Sequence, residues 1–429
     1  RAGFGKVDVL CPWGPPTPAG PLDGTGVCRY KAHMKGPLSG YRILDMSRVL
    51  SGPAATMLLA DQGADVIKVE PLAGDITRQM GVGRQGMTAG FLNINRGKRA
   101  IALDLKSATG VDIVKKIAGT ADVFVQNFRP GAIDKMGLGA DVIRELKPDI
   151  IYVSISGFGD KGPYAHKRVY DPVIQALSGV TDIQADGEAG RPRMMRTVVP
   201  DKTTALTAAQ AITAGLLARE RSGEGQHIKL AMLDAMIAYL WPEGMINLTI
   251  VDDERAPGVG QIAQDLVFKT LDGYITAGAM SDQEWEGMCA ALERPEWVND
   301  ERFNTTANRF INIKERLAET SKVIETRSSA EWLSRMDANG VPCAPILMRP
   351  EVIRHEQVLV NELITEYEHP ILGRVRQPRA AARFEGASAP QHPIAPHLGQ
   401  HNGEVLSEIG YSEADIQDLV TKGILSAPR

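Results

Sequence analysis

An α/β architecture is expected from the amino-acid sequence: a doubly wound parallel sheet, then a smaller α+β domain. Three observations carry this. Short apolar runs alternate with helical stretches from residue 41 to about 241, the pattern of strands buried on both faces and joined by crossover helices. After residue 262 the pattern changes to a hairpin followed by helices. The chain has 429 residues, 43% of them apolar, enough for two or three domains with a full core.

Residues 1–38 carry Pro12, Pro15, Pro16, Pro18 and Pro21 and many glycines without periodicity, so disorder is expected there. The stretch has no apolar core of the kind a signal peptide needs, and Met34 is the expected natural start. Residues 42–46 read as a buried strand. Gly52-Pro53 opens a helix that Gly63 stops. Strands are expected at 64–70 and 100–105, and Ser107 caps a helix running to about Gly119. A strand at 122–128, a helix at 140–147 and a strand at 149–156 follow. Pro200-Asp201 opens a long helix at 202–221, where Ala205, Ala208, Ile212, Leu216 and Leu217 recur at helical spacing. Ser222-Gly223-Glu224-Gly225 ends it, before a strand at 226–232 and a helix at 234–241.

The large domain is thus assigned to 39–240, a linker to 241–262 and the small domain to 263–345. Within the small domain, Asp272-Gly273 between alternating residues predicts a hairpin over 266–277. Helices are expected at 283–292, 311–325 and 329–337. Residues 346–429 read as a loop-rich return segment with a helix at 413–421, packing on the large domain.

Composition excludes several classes of function. The 48 cationic and 52 anionic side chains leave a formal charge of −4, with no basic arm for nucleic acid. No run of 18 apolar residues suggests a membrane span. Cys11, Cys28, Cys289 and Cys343 form no C-x-x-C pair and lie too far apart for a disulfide framework, so a reducing, cytoplasmic setting is expected. The eight histidines are scattered, and no metal is expected.

Two segments match G-x-G-x-x-G. Gly81–Gly86 follows no strand. Gly157–Gly162 does follow one, but Pro163 comes next and no helix starts until about Asp171. A bound pyrophosphate needs that helix N-terminus directly, so a ligand-lining loop is the better assignment. Arg96, Lys98 and Arg99 precede the third strand and Lys106 follows it, while Arg129 and Lys135 follow the fourth. Singly each suits a solvated surface; together they suit a cleft for a polyanion such as the phosphates of a nucleotide-like ligand. Asp201 suits an N-cap. A carboxylate kept ionised at a helix N-terminus also suits a nucleophile. Asp171, after Tyr170, opens a helical stretch in the same way.

The run RVLSGPAATMLLADQGADVIKVE, then GDITR, NINRGKRAIALDLK, ADVFVQNFRPGAIDKMGLG and IIYVSISGFGDKGPY, resembles the class III CoA-transferase family. That family includes formyl-CoA transferase, the carnitine CoA-transferases and α-methylacyl-CoA racemase. The likeness spans roughly residues 39–425. It implies a Rossmann-like large domain, a small domain and an interlocked homodimer. It also implies an acyl-CoA donor and a carboxylic acid acceptor as substrates, with no tightly bound cofactor.

The resemblance makes Asp201 the nucleophile, with Pro200 where the family usually has glycine. It implies transfer through an aspartyl mixed anhydride and an aspartyl-CoA thioester. Asp171 matches a supporting acidic position near the thioester. Leu50 and Ser51 are implied at the first strand-to-helix turn, Leu103 and Lys106 beside the adenine and phosphates, and Asn127, Phe128, Arg129 and Lys135 at the next strand end. Arg168 and Tyr170 would lie along the pantetheine, and Pro71 stands where some relatives carry arginine. Gly258 and Gly260 match a glycine-rich loop over the site, in a shorter run.

Two alternatives remain open. A racemase needs a His–Asp acid–base pair where this chain has Tyr170-Asp171, with His166 four residues too early. A non-catalytic CoA-binding protein would have little use for Asp201. Trp241, Met245 and Phe268 are candidates for an apolar acyl pocket, with core packing as their plainer fate.

Overall fold

The computed structural model describes residues 36–185, 190–253, 265–385 and 394–427. A central sheet of six parallel strands comprises β1 (Arg42–Asp45), β2 (Asp65–Pro71), β3 (Lys98–Leu103), β4 (Val123–Gln126), β5 (Ile151–Ser156) and β6 (Gln226–Ala231). Their order is β3-β2-β1-β4-β5-β6. The chain builds outward from β1 through β2 and β3, then returns to place β4 on the other side. Ile43 accordingly pairs with Val66 on one flank and Val123 on the other. The reversal opens a crevice at the carboxyl ends of β1 and β4, where doubly wound sheets bind ligands.

Alternate residues of each strand enter different cores. Leu44, Ile67, Ile101, Phe124 and Tyr152 face helix Ala108–Ala118 and the C-terminal residues Val405, Leu406 and Leu419. Ile43, Val66, Val123, Ile151 and Val153 face α1 (Ser51–Ala60) and α2 (Val199–Ser222). Ala205, Ala208 and Ala209 keep α2 close to that face. At its end Gly223 takes φ +73°, a left-handed cap that glycine adopts without strain.

Several boundaries differ from the sequence expectation. Leu38 is buried in a core cluster, so the folded body begins before residue 39, while residues 1–35 lie outside the described ones. β3 starts at Lys98, two residues early, because its ammonium is neutralised inside the protein by Asp45. Helix α2 starts at Val199, since proline is welcome in a first turn. Val198 is therefore the cap, and Asp201 sits within the first turn. The helix after β6, Met232–Gly244, runs on through Pro242.

The hairpin around Asp272-Gly273 forms, Val267–Lys269 pairing with Tyr274–Ala277, and Cys343–Pro345 adds a third strand. Trp285, Trp297, Phe303 and Trp332 fill the core of this unit, and Phe268 is buried there too. The segment read as loop-rich holds a second hairpin, Ile364–His369 with Gly373–Pro378. Its strands are half-exposed and carry Glu366, Arg374 and Arg376, so they lack the apolar alternation that marks a strand.

Candidate active site

At the crevice the turn between β1 and α1 is held by buried charge. Asp45, at the end of β1, accepts from Lys98 Nζ (2.9 Å), Thr56 Oγ1 (2.7 Å), Ser47 N–H (2.9 Å) and the Ser47 hydroxyl. Burial alone would raise its pKa, but Lys98, Lys68 and the two hydroxyls outweigh it and hold it at about 2. The same burial lowers Lys98 to about 8, against the pull of Asp45. Asn127, just after β4, accepts from Arg48 N–H (2.8 Å) and donates to Arg48 O (2.8 Å), tying the turn after β1 to the end of β4.

Asp201 projects from the first turn of α2. Its carboxylate lies beside Ser51, the first residue of α1, whose hydroxyl and backbone N–H both act to lower its pKa. Burial, then the nearby charge of Asp171, raise its pKa to about 6, though the Ser51 donors pull the other way. Asp171 opens its own helix, Asp171–Leu177. It accepts from Asp201 N–H (3.1 Å) and from Gln175 Nε2 (2.6 Å). Gln175 is buried, and its amide also binds Met195 N–H (2.9 Å) and Thr197 O (3.2 Å), tying the segment before α2 to the carboxylate pair. Two carboxylates thus sit together, Asp171 held by Gln175 and Asp201 beside Ser51 at the start of α1.

The remaining expected residues are placed unevenly. Ser51 is buried against Asp201, and Leu50 is half-buried beside it. Lys106, Arg129, Lys135, Arg168 and Tyr170 are exposed. Phe128 is half-buried and packs on the hydrophobic core. Leu103 is fully buried in that core, so its side chain offers nothing to a ligand. The basic residues at the start of β3 do not form an open cationic cleft. Lys98 is inside, Arg96 is bound to Asp61 (2.5 Å), and Arg99 is held by Asp65 and Glu408 (2.6 Å each). Gly258 and Gly260 lie outside the described residues.

His166 is exposed, and among the described residues no histidine is bound to either carboxylate. Gly81–Gly86 forms a small hairpin, Gly83–Arg84 with Met87–Thr88. Among the described residues no cluster could hold a metal ion, and no helix is long and apolar enough to cross a membrane.

A cavity of about 400 Å³ is lined by Gln126, Arg129, Tyr152, Ser154, His227 and Asp234 among others. Tyr152 belongs to the core on the face of the sheet opposite α2, but Ile155 of the α2-side core and the strand-end residues Phe128 and Arg129 line the cavity too. Sequence reasoning missed Gln175, Lys68 and Asp75. The last two stand in the quoted runs ADVIKVE and GDITR, but nothing in residue type or spacing tells a buried lysine or aspartate from an exposed one.

A family model described as CoA-transferase family III matches residues 38–402. The chain is 39% identical to mouse succinyl-CoA:glutarate CoA-transferase, the match covering 91% of this chain and 90% of that protein. It is 32% identical to formyl-CoA:oxalate CoA-transferase of Escherichia coli, covering 89% and 98%. The crystal structure of a CaiB/BaiF family protein from Brucella suis superposes with a TM-score of 0.75 at 30% identity, covering 88% of this chain and 100% of that one.

Proposed function

Since the chain belongs to CoA-transferase family III and is a CoA-transferase, we propose that Asp201 is its acyl carrier. The observation behind this is the Asp201 carboxylate, held at about pKa 6 between Asp171 and the start of α1. Such a group is ionised at neutral pH yet more basic than an ordinary carboxylate, which suits a nucleophile.

Its oxygen attacks the thioester carbonyl carbon of the donor acyl-CoA, the C–S bond breaks, and CoA thiolate leaves an aspartyl mixed anhydride. The thiolate then attacks the aspartyl carbonyl and expels the donor's carboxylate, giving an aspartyl-CoA thioester. The acceptor carboxylate attacks that carbonyl, expelling the thiolate. The thiolate finally attacks the acceptor's acyl carbon and releases Asp201. No proton is gained or lost overall.

When charge develops on the aspartyl oxygen, the Ser51 N–H and hydroxyl, which already stabilise the negative form of this carboxyl, are beside it to donate. Acylation also removes the negative charge that burial and Asp171 disfavour, so the resting repulsion is relieved in the covalent intermediate.

CoA would enter the crevice between β1 and β4, its phosphates toward the exposed Lys106, Lys135, Arg129 and Arg168. Asn127, Phe128 and Tyr170 would flank it. The relatives' names pair a CoA donor with glutarate or oxalate, so small dicarboxylic acids are the proposed acceptors. A homodimer is proposed as the working form. Leu206, Tyr239, Trp241, Leu248 and Ile250 stand exposed on the single chain, which is consistent with a covered surface.

The test is transfer of CoA from succinyl-, acetyl- or formyl-CoA to a panel of carboxylic acids, followed by mass spectrometry. Wild type should form a new acyl-CoA, and Asp201→Asn should not. Full activity in Asp201→Asn would refute the carrier role. Wash-in of solvent deuterium at the α-carbon of a 2-methylacyl-CoA would favour a racemase instead.

A further inference from the structure

The turn that presents Ser51 to Asp201 is strained. Val49, a β-branched residue, has φ +70°, a left-handed conformation such residues avoid. Its N–H donates to Asp75 Oδ2 (3.2 Å). Lys68 Nζ donates to that same oxygen (3.2 Å) and to the carbonyl of Ser47 (3.0 Å). Two consecutive parts of the turn are therefore gripped from β2 and the loop after it.

Neither gripping group sees solvent, the Lys68 side chain being 0% and the Asp75 side chain 1% exposed. Asp75 is itself fixed, its N–H donating to Glu70 Oε2 (2.8 Å) and its Oδ1 accepting from Thr77 N–H (3.0 Å). The turn is also pressed from the front: a Cβ on Gly52 would fall 2.3 Å from the Cβ of Ser47. A buried ion pair is weak evidence of stability, since dehydration of the charges offsets their attraction. What this one holds is backbone, two to four residues before the Asp201 contact.

We propose that Lys68 and Asp75 are positioning residues for CoA transfer, holding the turn Ser47–Leu50 against the strain at Val49 so that the Ser51 donors stay on Asp201. This rests on the assignment of Asp201 as acyl carrier. Neither residue touches the reacting atoms; both act through the backbone. Without the grip, Val49 relaxes to negative φ and Ser51 rotates away from the carboxylate.

The test is a cycle of Asp75→Asn and Val49→Gly in the full chain, reading kcat, the acyl-CoA KM and the rate of hydroxylamine-trapped adduct at Asp201. Displacing an oxyanion donor costs about a hundredfold, so Asp75→Asn should lower kcat by that order with KM nearly unchanged. Glycine adopts positive φ without strain, so Val49→Gly in the Asp75→Asn background should recover kcat about tenfold. A merely structural role for Asp75 would leave the double variant no better than Asp75→Asn. Should Asp75→Asn fail to fold by circular dichroism, Asp75→Glu, which keeps the charge but shifts it by a methylene, replaces it in the same cycle under the same criteria. Wild-type kcat in the folded aspartate variant, or no recovery in the double variant, overturns the proposal. A wild-type enzyme that transfers CoA but forms no Asp201 adduct overturns the assignment beneath it instead.

Discussion

Replacing Asp201 with asparagine should stabilise the protein, and by an amount that depends on pH. Its carboxyl is held at about 6 against an ordinary value of 3.8, by burial first and then by Asp171. A displacement of about two units corresponds to about 3 kcal/mol. The sign follows from linkage. A carboxyl with a raised folded-state pKa favours the protonated form on folding, so its contribution is fully present below pH 3.8 and is lost as pH rises through 6. At pH 8 the wild type thus carries about 3 kcal/mol of strain that asparagine removes, shrinking to about half of that by pH 5. Spread over a chain of this size, with about 2 cal/mol/K of unfolding entropy per residue, the gain is roughly 3–4 °C in Tm at pH 8. Differential scanning calorimetry of wild type and Asp201→Asn at pH 8 and pH 5 measures it. A variant no more stable at pH 8, or equally stabilised at both pH values, would show that Asp201 is not held under this repulsion.

Other outcomes follow from the same geometry. The kcat/KM for the acyl-CoA should fall about tenfold per pH unit below about 6 as Asp201 is protonated, and Asp171→Asn should move that inflection to lower pH; stopped assays across roughly pH 4–8 read both. Lys98→Met should cost about 3–5 kcal/mol, because it strips Asp45 of the cation at 2.9 Å, a loss visible in urea denaturation. Gln175→Leu leaves Asp171 and Met195 N–H without their partner and should cost about 1–3 kcal/mol, read in the same way.

The large sheet was legible because its buried parallel strands carry continuous apolar runs: Ile43-Leu44, Val123-Phe124-Val125 and Ile151-Tyr152-Val153 announce themselves. So did the stop at Gly223 and the Asp272-Gly273 turn, which need particular backbone freedom or turn chemistry. Hairpin 364–378 did not, since its stability comes from cross-strand ion pairs on a half-exposed surface. At the site, Asp201 stood out by its place at a helix start, though the structure makes Val198 the cap and sets the Asp201 carboxylate beside Ser51 of another helix. The cations at the start of β3 were misjudged for a general reason: Lys98, bound to Asp45 fifty-three positions earlier, owes its burial to a partner that sequence proximity does not reveal. The grip of Lys68 and Asp75 on a strained valine was invisible for the same reason.

The acyl-carrier role of Asp201 is tested most directly by mixing the enzyme with acyl-CoA, quenching with hydroxylamine and mapping the peptides by mass spectrometry. A hydroxamate at Asp201, formed only when acyl-CoA is present and absent from Asp201→Asn, is the expected result. Continued CoA transfer with the modification found at another residue, or at none, would contradict it.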